Sequence, residues 1–329
     1  MFSWGLILAL GCTIGSCRKG EMDPSQPGNL VPLTAEQDAS IPSIAINGTL
    51  LHAEAFGPAD SALVIVIHGG PGSDYRYLLN CKELAGQGFR VVFYDQRGSG
   101  LSQRHNLDEY SLEIMTDDLG DLIAHYKTAP GQKVFLLGHS WGAMLATSYI
   151  NLHPNEIDGA ILCEPGGFTY PQVKEYLARV RDYGPFSETL NDAVNLDQFF
   201  TGSENEHAIL DYKLGLWVST DGAKDNPTGN EGPLPYWRAG AVVNKALFEI
   251  GKKEGFDWTT NLHQYDTPVL FVYSENNRAY GEQHAKNVSS AYPNVQLFRC
   301  DDSGHDMLSF PRGWQNFYPV GLSYLNNLK

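Results

Sequence analysis

The stretch Lys133-Val134-Phe135-Leu136-Leu137-Gly138-His139-Ser140-Trp141-Gly142, running on to Leu152, decides the fold. Its first five residues are an apolar, strand-like run, and Trp141 to Leu152 carries a helical pattern. Between them Gly138-x-Ser140-x-Gly142 leaves room only for a sharp strand-to-helix turn. Such a turn forces the serine into a strained backbone conformation and exposes its hydroxyl. Side chains at the two glycines would collide with neighbouring backbone. The pattern alone is a weak signal; its place between a strand and a helix makes it a strong one.

Outward from this turn the strand-helix unit repeats. Short β-branched or aromatic runs recur at Ala62 to Ile67, Arg90 to Tyr94, Gly159 to Cys163, Pro268 to Tyr273 and Val295 to Arg299. Several are nearly continuous hydrophobic runs, as parallel strands covered on both faces must be. Helix-like sequence such as Ser111 to Tyr126 separates them, so the spacing predicts an α/β fold with a doubly wound, mostly parallel sheet. The alternation stops between Phe168 and Leu262, where polar, helix-leaning sequence predicts a helical cap over the sheet. The chain thus divides into a body, residues 42–167 and 263–329, and a cap, residues 168–262.

Chemistry gathers at the strand ends. Ser140 is the candidate nucleophile. His68-Gly69-Gly70-Pro71-Gly72 follows a predicted strand, and its glycine backbone can come close enough to a substrate to donate a hydrogen bond. Acyl transfer needs two donors aimed at the oxygen that becomes negative; Gly70 N–H and Trp141 N–H are the candidate pair. His68 itself reads as a structural histidine. Among 10 histidines, His305 stands out on the loop Asp301-Asp302-Ser303-Gly304-His305 beyond the last strand, where such a sheet places its late catalytic loop. No Cys/His spacing suits a metal, and the chemistry calls for no cofactor.

Composition narrows the partners. With 23 Lys and Arg against 38 Asp and Glu, the net charge of −15 argues against nucleic acid. A small molecule or short peptide fits better. At the N-terminus, residues 1–16 form a stretch too short to span a bilayer and read as a signal peptide. Ile14-Gly15-Ser16-Cys17 resembles the lipobox of bacterial lipoproteins, which predicts lipidation of Cys17 and a flexible tether over 17–41. Membrane contact would then run only through that lipid, at the bacterial cell envelope. Cys81, Cys163 and Cys300 remain and read as buried thiols.

Taken together, His68 to Gly72, Asp95-Gln96-Arg97-Gly98-Ser99-Gly100, Gly138 to Gly142 and Ser303-Gly304-His305 resemble the α/β-hydrolase fold, and within it the prolyl aminopeptidases, from about residue 45 to the end. The resemblance implies a serine hydrolase acting on short peptides or related amides and esters, with Ser140 as nucleophile and His305 as base. A serine there also argues against epoxide hydrolase or dehalogenase chemistry, which on this fold uses a carboxylate nucleophile. Two positions depart from the family. Its acid is an Asp in a segment like Gly-x-x-Asp, matched here by Ser274-Glu275-Asn276-Asn277, so a neutral Asn277 holds the acid position. Glu164, after the preceding strand, resembles the placement in haloalkane dehalogenases and some lipases and is the first candidate; Glu275 competes, and Asn277 itself remains. In the cap, the family's Trp-rich segment carries a Glu for the substrate ammonium, whereas Tyr236-Trp237-Arg238-Ala239-Gly240-Ala241 has none. Glu204, Glu206 and Trp237 are the candidate substrate contacts. An esterase or lactonase would share the same catalytic residues, and a non-catalytic envelope binding protein is the rival from another class.

Overall fold

Strand order follows from where the apolar runs can hide. The computed structural model describes residues 30–181, 205–218 and 227–329. Among them, β1 (Ser43–Ile46), β2 (Thr49–Phe56), β3 (Leu63–Ile67), β4 (Arg90–Tyr94), β5 (Val134–His139), β6 (Gly159–Cys163), β7 (Val269–Ser274) and β8 (Val295–Cys300) form one sheet ordered β1-β2-β4-β3-β5-β6-β7-β8. From β4 to β8 all pairings are parallel, while β2 joins β4 and β1 joins β2 antiparallel. The sequence reading lacked these first two strands.

Strands β3, β5 and β6 are buried throughout because helices cover both sheet faces. Alternate residues feed two separate cores. Leu63, Ile65, Ile67, Val134, Leu136, Ala160 and Leu162 face one, with α1 (Leu112–Tyr126), α2 (Trp141–Leu152) and α6 (Gly281–Ser289). Val64, Val66, Phe135, Leu137, Ile161 and Cys163 face the other, under the 3-10 run Tyr75–Gln87 and α7 (Pro311–Leu328). Helix α1 shows why it forms: Ser111 caps its first turn by accepting Ile114 N–H at 3.1 Å. Met115, Leu119, Leu122 and Ile123 then make a buried stripe at helical spacing. Truncating a fully buried member such as Leu119 to Ala would cost roughly 2–5 kcal/mol.

Between β6 and β7 the described residues hold α3 (Tyr170–Arg181), α4 (Glu206–Val218) and α5 (Ala241–Glu254), and no strand. Buried polar groups fasten this segment to the body. Asp211 of α4 pairs with Arg104 at 3.0 Å and Arg238 at 2.7 Å, and accepts Ala241 N–H at the start of α5 at 2.8 Å. Asp74 accepts the backbone N–H groups of Trp237 and Arg238, and Gly240 N–H bonds to Gly72 O at 2.7 Å. The insertion therefore sits on the glycine-rich loop after β3. Cys81, Cys163 and Cys300 are free and buried. None of the described helices is long and apolar enough to cross a membrane; residues 1–29, with the signal stretch and Cys17, lie outside the described residues, while residues 30–41, read from sequence as flexible tether, lie on the body, where Ala35 is buried and its N–H bonds to Leu101 O at 2.8 Å.

Candidate active site

Ser140 follows β5 and precedes α2 with φ 54° and ψ −120°, a positive-φ backbone that a non-glycine residue holds only when its surroundings enforce it. Ser140 N–H donates to Cys163 O at 2.8 Å, and two residues on the chain runs so close to β3 that a Cβ on Gly142 would land on the carbonyl oxygen of Ile67. At Gly138 a Cβ would come within 2.6 Å of Ala143 Cα. Helix α2 can thus leave the sheet only through glycine at both positions.

The bond to Cys163 sets the elbow beside the next residue, Glu164, which is fully buried and also left-handed at φ 44°. Glu164 Oε2 accepts from His305 Nδ1 at 2.7 Å. The same oxygen accepts from Asn277 Nδ2 at 2.8 Å, while Oε1 takes Ser274 N–H and Ser274 Oγ, each at 2.6 Å. Four donors saturate the carboxylate, which compensates the loss of its water. Asn277, at the family's acid position, is a donor to the carboxylate that contacts the histidine. Glu275 is turned away from it: its carboxylate accepts Asp302 N–H at 3.0 Å and pairs with Arg299 at 3.5 Å on the surface.

His305 is carried on a loop held from both sides. Its N–H bonds to Thr228 O at 2.8 Å, Asn276 N–H bonds to Ser303 O at 2.9 Å, and a Cβ on Gly304 would strike Gly229. The turn at Pro227 to Asn230 is therefore a support of this loop. Across the loop, the His305 ring lies 4.7 Å from that of His139, the residue before Ser140. Tyr176 of α3 brings its ring within 6.4 Å of His305 and its hydroxyl to 3.4 Å from Asn277 Nδ2. Ser274 and Tyr176 were not singled out by the sequence. Only Ser274 had a signal: it and Asn277 are the two ends of the segment that departs from the family pattern.

On the opposite side of Ser140, Gly70 has φ 120°, where an L side chain would lie 2.5 Å from Gly72 N. Gly69 N–H is taken by Tyr77 Oη at 2.7 Å, so that amide is already occupied. Trp141 N–H is the first amide of α2, and the first N–H groups of a helix lack intrahelical partners and carry its positive end. His68 accepts Gln96 N–H at its Nε2, 3.0 Å, and donates Nδ1–H to Gly69 O at 2.8 Å. Burial lowers its pKa, against weaker support from Asp95 and the Gly69 bond, so this histidine is a neutral strut.

The candidate substrate contacts are not brought together. Glu204 lies outside the described residues, and Glu206 is exposed at the start of α4. Trp237 stands edge-on to Tyr75 at 4.9 Å and to His52 at 5.5 Å, packed on the core where Asp74 holds its backbone. Its indole is half-buried, with one side packed against the core.

The sequence and fold have known counterparts. The AB hydrolase superfamily protein YfhM of Bacillus subtilis is 32% identical over 276 residues, 79% of this chain and 89% of that one. The chain belongs to the AB hydrolase superfamily. A profile of serine aminopeptidases, family S33, matches residues 58–190 of this hydrolase, the part with the Gly70 loop and Ser140. Epoxide hydrolase B of Mycobacterium tuberculosis is 35% identical over 117 residues, 35% of this chain and 32% of the relative, so that match spans about a third of the relative's length. A solved proline iminopeptidase of Mycobacterium smegmatis superposes with a TM-score of 0.57 at 17% identity, covering 87% of the hydrolase and 97% of the other chain, a likeness of fold.

Proposed function

We propose that this hydrolase is a serine enzyme that releases residues from the N-terminal end of small peptides or amides, in the manner of prolyl aminopeptidases, through an acyl-enzyme. The observation that carries the proposal is the bond of 2.7 Å from His305 Nδ1 to a fully buried carboxylate, Glu164, one residue past the strand end that holds Ser140. In this reading Ser140 Oγ attacks the scissile carbonyl as His305 Nε2 takes its proton. Gly70 N–H and Trp141 N–H hold the oxyanion. His305 gives the proton to the leaving group and then takes one from water, which attacks the acyl-enzyme. Glu164 fixes the imidazole tautomer and stabilises the imidazolium in both halves.

Labelling with a fluorophosphonate tests the nucleophile: wild type reacts, S140A does not, and a wild type that fails to react returns the chain to the non-catalytic binding reading. Comparing aminoacyl-arylamides with aryl esters tests the substrate. A second reading, ester or lactone hydrolysis, is favoured by one observation, the half-buried Trp237 packed against the core in a segment without the Glu that the prolyl aminopeptidases carry there. Turnover of esters alone would select it. We also propose that Cys17 carries the lipid anchor at the envelope, which a C17S variant released from membranes would support.

A further inference from the structure

Behind Ser140 runs a chain of hydrogen bonds whose direction can be fixed atom by atom. His139 Nε2 lies 2.8 Å from the carbonyl oxygen of His305. A carbonyl only accepts, so Nε2 carries the proton and Nδ1 of the neutral ring is bare. Tyr77 Oη, 2.8 Å from Nδ1, must then donate to it. With its proton placed there, Oη accepts Gly69 N–H at 2.7 Å. The sequence of bonds is Gly69 N–H to Tyr77 Oη, Tyr77 Oη–H to His139 Nδ1, and His139 Nε2–H to His305 O.

One end of this chain fixes the peptide before Gly70, the other the backbone of His305, and its middle member precedes Ser140. Tyr77 is 3% and His139 1% exposed, so water does not substitute for a lost partner. Burial, and then the proximity of His305, push the His139 pKa down to about 3, while burial holds the Tyr77 hydroxyl protonated. Asp306 faces the same His139 nitrogen at 3.8 Å, and its other oxygen is taken by Asn230.

We propose that Tyr77 and His139 are positioning residues that hold the Gly70 donor and the His305 ring in register with Ser140, and that keep a neutral ring beside a base that must become charged. The inference rests on the serine hydrolase reading above.

Two isosteres of half the ring separate the arms. In H139N the amide oxygen falls where Nδ1 was and keeps Tyr77, but nothing reaches His305 O. In H139Q the amide nitrogen falls near Nε2 and keeps His305 O, but nothing meets Tyr77. The readouts are kcat and KM on an aryl ester, the rate of fluorophosphonate labelling, and Tm. H139N should lose about a hundredfold in kcat, the scale of an ångström's misplacement, with KM near wild type. H139Q should lose about tenfold, and Y77F, which keeps the ring but frees Gly69 N–H, should fall between them. Equal losses in H139N and H139Q that track Tm, or a Y77F with wild-type kcat, overturn the positioning role. A wild type that does not label takes down the hydrolase reading and this inference with it; a wild type that labels beside an H139N as fast as H139Q takes down this inference alone.

Discussion

Replacing Glu164 with Gln is the most informative single change, because the structure fixes what the amide can do. The carboxylate meets donors on both sides: His305 Nδ1–H and Asn277 Nδ2–H at Oε2, Ser274 N–H and Oγ at Oε1. An amide offers one acceptor end. Turned with oxygen toward His305, its NH2 faces Ser274 N–H at 2.6 Å; turned the other way, it faces the imidazole N–H and displaces the tautomer. The first orientation costs about 1–3 kcal/mol of stability for a buried donor without a partner. It also removes the negative charge from the imidazolium. A charge pair near 4 Å at an effective dielectric of 20 is worth about 4 kcal/mol, or about three orders of magnitude in rate. Burst and steady-state kinetics on an aryl ester should therefore show kcat down by about 10³ to 10⁴ with KM little changed. Adding N277D should return part of the loss. If E164Q keeps kcat within tenfold of wild type, Glu164 is not the acid and the reasoning fails.

Three further outcomes follow from buried groups. His139 is neutral in the fold with its pKa near 3 against 6.5 when unfolded, so the unfolded chain takes the proton first. Stability is then full above pH 6.5 and is lost as pH falls toward 3, about 2 kcal/mol by pH 5; urea titrations across that range should show the slope, reduced in H139Q. D211A leaves Arg104 and Arg238, 5% and 2% exposed, without their shared carboxylate and should cost about 3–5 kcal/mol in thermal unfolding, where a loss under about 1 kcal/mol would mean the arginines find water. G142A drives a methyl onto Ile67 O, and a cost of about 3 kcal/mol or a failure to fold is expected by calorimetry.

The sequence made legible what depends on local pattern. Continuous apolar runs gave β4 and β6 to the residue, and the elbow followed from two glycines whose Cβ atoms have no room. β1 and β2 escaped because Ser43–Ile46 is short and half exposed and Thr49–Phe56 mixes polar residues into an edge pairing. In the site, Glu164 could be ranked from the chain order of nucleophile, acid and base. The supports could not: Tyr77, Tyr176 and Thr228 reach the loop of His305 or its partners from far along the chain, and nothing in their own neighbourhoods marks them. Trp237 shows a different limit, since an aromatic in a cap can line a pocket or cover a core, and its pattern in the sequence does not say that one side of the ring packs on Tyr75.

The side chains of Glu164, Ser274 and Asn277 depend on one another. Asn277 Nδ2 lies 2.8 Å from Glu164 Oε2, so an Asp at 277 would set two carboxylates at that distance in a buried site. Like charges there repel by about 6 kcal/mol at an effective dielectric of 20, and one of the pair must hold a proton. Glu164 therefore requires a donor at 277, and the amide supplies it, as Ser274 supplies two more at the other oxygen. In N277D with Glu164 intact, the shared proton raises one carboxyl's pKa above its unfolded value. Its contribution to stability is complete below about pH 4 and is lost as pH rises through the raised value, the reverse of the ordinary carboxylate. Chemical denaturation at pH 5 and pH 8 should show N277D losing stability relative to wild type at the higher pH, with the difference shrinking at the lower. An N277D whose stability runs parallel to wild type across that range would mean that the two side chains do not share the contact.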